Sequence, residues 1–278
     1  MQDMNDTHAP MVLIRGGGDL ASGVALRLFH SGFKVVITEI AEPLAVRRGA
    51  SFAQAVFDGV TQLEGVLAVR CNREEAILEV TTSGKIAVRV DPSAECRQSL
   101  PLLAVIEGRM LKKPPVDSMF PKIFTIGLGP GFTAGVNCHA VVETNRGHRM
   151  GRVYWQGSAE DDTTQPEAVK GHISDRVVRA DASGLFCTPF NIGDIVDEGA
   201  EIGDIAGKSI NSPFKAVIRG MLRSGTIVQR GMKIGDLDPR CDRELCYLAS
   251  DKALAVGGGV LEALLTRPEV RAAIKGGA

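Results

Sequence analysis

The stretch Met11-Val-Leu-Ile-Arg-Gly16-Gly17-Gly18-Asp19-Leu20-Ala21-Ser22-Gly23 decides how the first half of the chain is read. An apolar run of strand type ends in three glycines, and a helical pattern follows at once. Val24, Ala25, Leu28 and Phe29 share one face of that helix, and Gly32 closes it. Gly16, Gly18 and Ala21 match the relaxed spacing G-x-G-x-x-G/A. In that spacing the first glycine permits a tight turn, the second lets the backbone approach a pyrophosphate, and the small third residue lets helix and strand pack closely. A second apolar strand, Lys34 to Thr38, ends in Glu39, about 20 residues past the glycines, where a carboxylate would hold a ribose hydroxyl.

Strand, glycine turn, helix, strand and acid in this order predict a Rossmann-like unit. Outward from it, Val66–Arg70, Ile86–Val90, Leu102–Ile106 and Lys122–Ile126 read as further strands. Residues from Pro43 to Phe57 and from Asn72 to Glu79 read as helices. Alternating strands and helices predict a parallel sheet, with ligands beyond the carboxyl ends of its strands. A second glycine segment, Gly127-Leu-Gly129-Pro-Gly131-Phe132, follows the last of these strands. It reads either as an anion cradle or as a plain turn. Asp91 and Glu107 fall at strand ends, Glu143, Arg146 and His148 put an acid, a cation and a base within six positions, and Arg15, Arg109, Lys112 and Arg146 together could clamp phosphates. Taken one at a time, these charges are as easily solvated surface groups.

After Glu143 the texture becomes β-rich, with residues 145–148 and 151–155 expected as a strand pair around a turn. Residues 193–205 recur at an offset of 32 in residues 225–237, sharing Gly, Ile, Val, Gly, Ile, Gly and Asp at matching places. This repeat predicts two similar glycine-turned hairpin halves packed face to face, and it resembles the barrel-sandwich domains of biotinyl and lipoyl carriers. Counting forward from Leu237 places the carrier lysine position at Asp238-Pro239-Arg240, which has no lysine. Lys233 reads as an exposed strand lysine matching Glu201. The expected organisation is α/β: a Rossmann-like domain over 11–145, a barrel-sandwich domain over 146–249, and a C-terminal helix over 250–278 that packs back on the first domain. Gly257-Gly-Gly259 lies at the expected start of that helix, as close packing or as a third anion loop.

The 278 residues carry 32 Lys plus Arg against 33 Asp plus Glu, a formal charge of -1. That balance argues against nucleic acid or an anionic membrane surface as partner. Six dispersed cysteines without a C-x-x-C, no apolar leader and no run approaching a membrane span point to a cytoplasmic protein. An oligomer is compatible with the sequence. No metal site is expected, since the histidines are scattered. Cys138, beside the second glycine segment, suits a persulfide or selenide carrier. Its apolar neighbours Val136 and Val141 favour a buried structural thiol.

Five motifs in order resemble the selenium-dependent molybdenum hydroxylase system accessory proteins. They are Gly16-Gly-Gly-Asp-Leu-Ala-Ser-Gly23, Gly127–Phe132, Glu143-Thr-Asn-Arg-Gly-His148, Lys233-Ile-Gly-Asp-Leu-Asp-Pro-Arg240 and Gly257-Gly-Gly-Val-Leu-Glu262. The resemblance spans nearly the whole chain after Met11, and the first domain is also similar to that of xanthine dehydrogenase accessory factors. It implies a maturation role beside a molybdenum hydroxylase apoenzyme and a nucleotide-containing small molecule as ligand, molybdopterin dinucleotide before NAD. In that expectation Gly16, Gly17, Gly18, Asp19, Leu20 and Ala21 meet the pyrophosphate, Glu39 a ribose, and Gly127, Gly129, Gly131 and Phe132 the second phosphate or the pterin. No catalytic residue is implied. The chain departs from the family at Thr163-Thr-Gln-Pro-Glu167, where a glycine-rich turn is expected. An NAD-dependent oxidoreductase and a non-catalytic scaffold that docks the apo-hydroxylase remain alternatives.

Overall fold

The computed structural model describes residues 9–113, 115, 119–120, 122–162, 169–172 and 174–276. The variant turn at 163–167 lies outside the described residues. Two compact units emerge, and the chain passes between them more than once. The first comprises Met1–Pro43, Ser51–Asp162 and Ala249–Ala278; the second comprises Leu44–Ala50 and Thr163–Leu248.

The first unit is built on strands β1 (Met11–Arg15), β2 (Lys34–Glu39), β3 (Val60–Leu63), β4 (Val66–Arg70), β5 (Ile86–Val90), β6 (Leu102–Glu107), β7 (Phe124–Leu128), β8 (Thr133–Ala134), β9 (Ala140–Val142), β10 (Val153–Tyr154) and β11 (Gly157–Ser158). Nine of them form one sheet in the order β10-β9-β7-β6-β1-β2-β5-β4-β3, and β8 pairs with β11 apart from it. The middle of the sheet is parallel, and antiparallel β3 and β10 flank it. Every residue of β1 is buried, as a central parallel strand covered on both faces requires. Helix α1 (Asp19–His30) buries Leu20, Ala21, Val24, Ala25 and Leu28, and Gly32 in the left-handed region turns the chain into β2. The remaining helices are α2 (Ala55–Asp58), α3 (Glu75–Thr82), α4 (Asp251–Leu265) and α5 (Pro268–Gly276).

Several elements differ from the sequence expectation. The helix expected from Pro43 to Phe57 is instead two short 3₁₀ turns, Arg48–Ala50 and Phe52–Gln54, followed by α2. Backbone and side chains alike are recruited by tertiary bonds: the Phe52 N–H donates to Ser22 Oγ and the Ala53 N–H to the Gly17 carbonyl. Arg47 donates to the carbonyls of Leu245 and Leu248, Arg48 donates to that of Met221, and a Cβ on Gly49 would lie 3.0 Å from the Cys246 carbonyl. The helix expected at Asn72 begins at Glu75, and the strand expected from Lys122 begins at Phe124. Residues 145–148 form no strand. β10 pairs instead with β9, so the segment to Asp162 belongs to the first unit rather than to the β-rich one.

Helix α4 starts at Asp251, capped by Ser250, whose Oγ accepts from the Ala253 N–H. Gly257–Gly259 therefore lie in mid-helix and form no anion loop. Two of them admit close neighbours: a Cβ on Gly257 would lie 2.8 Å from Arg27 Cγ, and one on Gly259 would lie 2.2 Å from the Gly151 carbonyl. On α1, Gly23 does the same for Ala253, whose Cβ a Gly23 side chain would meet at 2.4 Å.

The second unit carries β12 (Val177–Arg179), β13 (Gly184–Cys187), β14 (Ile195–Val196), β15 (Glu201–Ile205), β16 (Lys208–Asn211), β17 (Ala216–Met221), β18 (Thr226–Val228) and β19 (Lys233–Asp238). They form two antiparallel sheets, β12-β19-β17-β14 and β16-β15-β13-β18. The internal repeat does not give two self-contained hairpins. Each half lends its short strand to the other: β14 pairs with β17, and β18 pairs with β13. Phe186, Val196, Ile202, Ile205, Ile218, Val228, Ile234 and Leu237 fill the shared core. Among the described residues, no helix is long and apolar enough to cross a membrane.

Candidate functional site

The glycine turn sits where the sheet reverses direction. From β1 the chain moves outward through α1 to β2, whereas β6 lies on the other side of β1. In open α/β sheets the crevice at such a point is where ligands bind. The three glycines differ in what they face. Gly16 has φ +87°, donates its N–H to the Thr38 carbonyl and lies against Gly108 and Arg109. Gly17 accepts from Ser51 Oγ (2.7 Å), Ser22 Oγ (3.0 Å) and the Ala53 N–H, and its own Cβ position is blocked by Ala53 and Ile37. Gly18 caps α1 in extended conformation with no atom within 4 Å of a Cβ built on it. The turn is thus held rigidly from below and open only at Gly18. Leu20 and Ala21 point into the core, so only their backbone remains available on the open side.

Glu39 ends β2 as expected, but its carboxylate already serves the turn. Oε1 accepts the Gly17 N–H (2.7 Å) and Oε2 accepts that of Ile40 (2.9 Å). Burial pushes its pKa up, and the two N–H groups pull it down without cancelling the rise. Each oxygen retains a lone pair for a sugar hydroxyl.

The second glycine segment is not an open cradle. A Cβ on Gly127 would lie 2.2 Å from the Phe132 ring, and one on Gly129 would lie 2.2 Å from Thr144 Oγ1. At Gly131 it would lie 2.6 Å from the Lys113 carbonyl. Phe132 is buried with Ala134, Cys138, Val141 and Ala159. The chain's own packing therefore demands these glycines, and Phe132 is a core residue. Cys138 is fully buried, and burial pushes its thiol up to about 11, which is wrong for a sulfur or selenium carrier.

The four cations expected to clamp phosphates are each engaged by an acid of the chain. Arg15 is buried and pairs with Glu107 at 2.6 Å, which also takes Arg109 at 2.9 Å. Lys112 pairs with Asp162, and Arg146 makes two bonds to Asp251. Glu143 is a structural acid, accepting the N–H groups of Thr144, Asn145 and Glu160. Asp91 similarly caps the turn at Glu95 and Cys96. His148 lines an open basin of about 580 Å³ with Arg149, Arg152 and Tyr154, to which no residue of the glycine turn contributes.

What the sequence reading passed over is Lys252, in the first turn of α4. Burial pulls its amine below the ordinary lysine range, and Arg146 adds to this while Asp19, Asp162 and Glu143 oppose it. One signal was available: a lysine just after an N-cap serine stands at the unfavourable end of the helix dipole.

In the second unit the tight hairpin turn is Ala206-Gly207, between β15 and β16, with Lys208 next to it and ion-paired to Asp181. Asp238-Pro239-Arg240 is not an exposed tip. Asp238 is fully buried and bonded by Arg240 at 2.6 Å. Lys233 opens β19 as Glu201 opens β15, but it is half-buried rather than exposed. Among the described residues, no group of three or more His, Cys, Asp or Glu side chains is placed to hold a metal ion.

No family model matches the chain. It is 45% identical over 265 residues to "Uncharacterized protein YqeB" of Escherichia coli (strain K12), covering 95% of this chain and 49% of that one. The chain thus spans about half the length of this curated relative. Among solved structures, an aspartoacylase family protein of Mesorhizobium loti overlays 82% of this chain and 85% of its own at 13% identity, with a TM-score of 0.27. The ectoine utilization protein EutE (DoeB) of Ruegeria pomeroyi does so at 9% identity and a TM-score of 0.25. Likeness this slight fixes neither fold nor activity.

Proposed function

We propose that this chain is an accessory protein for the maturation of selenium-containing molybdenum hydroxylases, and that it holds a nucleotide-bearing ligand, such as a dinucleotide form of the molybdenum cofactor, at the Gly16–Gly18 turn. The observation that carries the ligand half of this reading is the position of Gly18. It is open, at the head of a twelve-residue helix, where the sheet order reverses. Backbone N–H groups at such a helix start favour an anion. Support for the maturation half is the ordered set of five motifs.

The ligand fits the first glycine turn and not the second, which Phe132 and Thr144 fill. In this reading Gly18 and the first turn of α1 meet the diphosphate, Glu39 meets a ribose, and the pterin end lies away from Gly127–Phe132. We further read the first unit as Rossmann-like and the second as a barrel-sandwich, supported by the reciprocal exchange of β14 and β18. The second unit is then the surface offered to the apo-hydroxylase in the cytoplasm.

Calorimetry with molybdopterin cytosine dinucleotide, CDP and NAD on the intact chain and on Gly18→Val is the test. Gly18 has φ -63°, so valine is tolerated by the backbone but occupies the ligand's place. Affinity should fall about tenfold or more, about 1.4 kcal/mol, in a chain that still folds. Equal affinities remove the site. Preference for NAD with turnover of a two-electron substrate replaces maturation with the oxidoreductase reading.

A further inference from the structure

The sequence puts an acid, a cation and a base at Glu143, Arg146 and His148, and the glycine turn uses none of them. The fold uses Glu143 for construction. Its carboxylate is fully buried; Oε1 accepts the N–H groups of Thr144 and Asn145, and Oε2 accepts that of Glu160. The Asn145 amide then donates to Glu160 Oε2 at 2.7 Å, and Arg149 pairs with Glu160 Oε1 at 3.1 Å. One buried acid thus fixes both ends of the segment 143–160, and both oxygens of Glu160 are engaged within that frame.

The frame encloses the basin of about 580 Å³, which lies wholly within the first unit. Small-molecule sites commonly measure about 300–1,000 Å³. The apolar part of the lining is Ala159, a member of the buried cluster with Phe132, Cys138 and Val141, and the ring of Tyr154, which packs on that cluster. The polar part includes Arg152 and His148, both exposed. Arg152 Nε donates to the His148 carbonyl at 3.2 Å, which ties the guanidinium to the 148–152 turn. Among the described residues, its two terminal nitrogens and Tyr154 Oη meet no partner. Arg149 and Arg152 against Glu160 leave the lining one positive charge in excess. A tethered guanidinium with both terminal nitrogens undonated has the shape that matches a carboxylate or a phosphate.

We propose that this basin binds a small oxyanion with a flat apolar body, a carboxylate or a phosphate ester. Its anionic oxygens meet Arg152, and its body lies on Tyr154 and Ala159. No residue of the Gly16–Gly18 turn lines the basin, so the assignment holds whatever that turn binds.

The test is titration calorimetry with benzoate, phenyl phosphate and uncharged phenol on the intact chain, Arg152→Met, Arg152→Lys and Gly18→Val. Thermal melting of each variant establishes that it is folded. The intact chain should bind at least one of the two anions, and phenol about tenfold more weakly or less. Arg152→Met should weaken the bound anion about tenfold or more, Arg152→Lys should restore part of the loss, and Gly18→Val should change nothing. Benzoate bound alone makes the ligand a carboxylate, and phenyl phosphate bound alone makes it a phosphate ester. Phenylglyoxal labelling of the intact chain, read by peptide mass spectrometry, needs no variant: the bound anion should shield Arg152 and leave the exposed Arg73 reactive. Neither anion bound, an anion bound equally by Arg152→Met, or an Arg152 unshielded at saturation overturns the proposal. An anion lost in Gly18→Val and kept in Arg152→Met overturns it in favour of the glycine turn.

Discussion

Two adjacent glycines of α4 should respond to the same substitution with opposite signs. Gly258 is exposed, and a Cβ there meets nothing within 4 Å; Gly259 is buried, and a Cβ there would lie 2.2 Å from the Gly151 carbonyl and 2.8 Å from Val142 Cγ1. Alanine in a helix interior is favoured over glycine by about 0.8–1.0 kcal/mol. Gly258→Ala should gain that amount. Gly259→Ala gains it too, but must displace a backbone oxygen. Gly151 N–H is bonded to the Glu143 carbonyl, so this oxygen has little room to yield. Overpacking of this kind costs about 1–3 kcal/mol, occasionally more, and a 2.2 Å approach belongs at the severe end. The two variants should therefore differ by about 3 kcal/mol. Trp155 is the sole tryptophan, belongs to the first unit and stacks on Phe124, so its fluorescence follows this unit during urea unfolding. A shift in midpoint at constant slope reads the change in stability. Gly259→Ala as stable as the parent would refute the α4 packing described above.

Acid should loosen the second unit through Asp236 and Asp238. Burial pushes both carboxyls up, but Lys233, Arg219 and Arg176 around Asp236, and Arg240 and Arg219 at Asp238, hold them below the usual range. Their stabilisation is complete above the unfolded value of about 3.9 and is lost as pH falls through the lower native values. Asp236→Asn should cost about 3–5 kcal/mol at neutral pH and flatten the acid limb of a denaturation profile; an unchanged limb would contradict the network. Native alkylation at pH 8 followed by peptide mass spectrometry should mark Cys187 and Cys241 well before Cys71, Cys96, Cys138 and Cys246, with Cys96 pushed up to about 12 by burial and Asp91. Early labelling of Cys138 would reopen a carrier role. Intact-mass measurement after expression in a biotin- and lipoate-competent host should show no adduct; a shift abolished by Lys208→Ala would make the β15–β16 hairpin a carrier tip.

The β1–turn–α1–β2 segment was legible because every signal in it is local: strand, glycines, periodic helix face and Gly32 act within a few residues of one another. Residues 44–58 were not, because the partners that unwind the expected helix are the carbonyls of Met221, Leu245 and Leu248, far along the chain. Glycines that serve a ligand and glycines that serve packing look alike in a sequence. Only the position of Phe132, Thr144 and Lys113 separates the second segment from the first. The repeat was visible, but similarity at a fixed offset does not say which strand pairs with which, so the exchange of β14 and β18 was hidden. The half-burial of Lys252 escaped because it depends on α4 lying against α1.

That docking also orders events during synthesis. Arg27 Nε donates to the Leu254 carbonyl across 227 residues of chain. A ribosome releases β1, the glycine turn and β2 well before α4, and contacts this distant in sequence are slow to form. Until α4 arrives, Gly23 and the flank of α1 that it covers stand bare. The nascent protein therefore carries an unfinished α1 surface until these two helices have met.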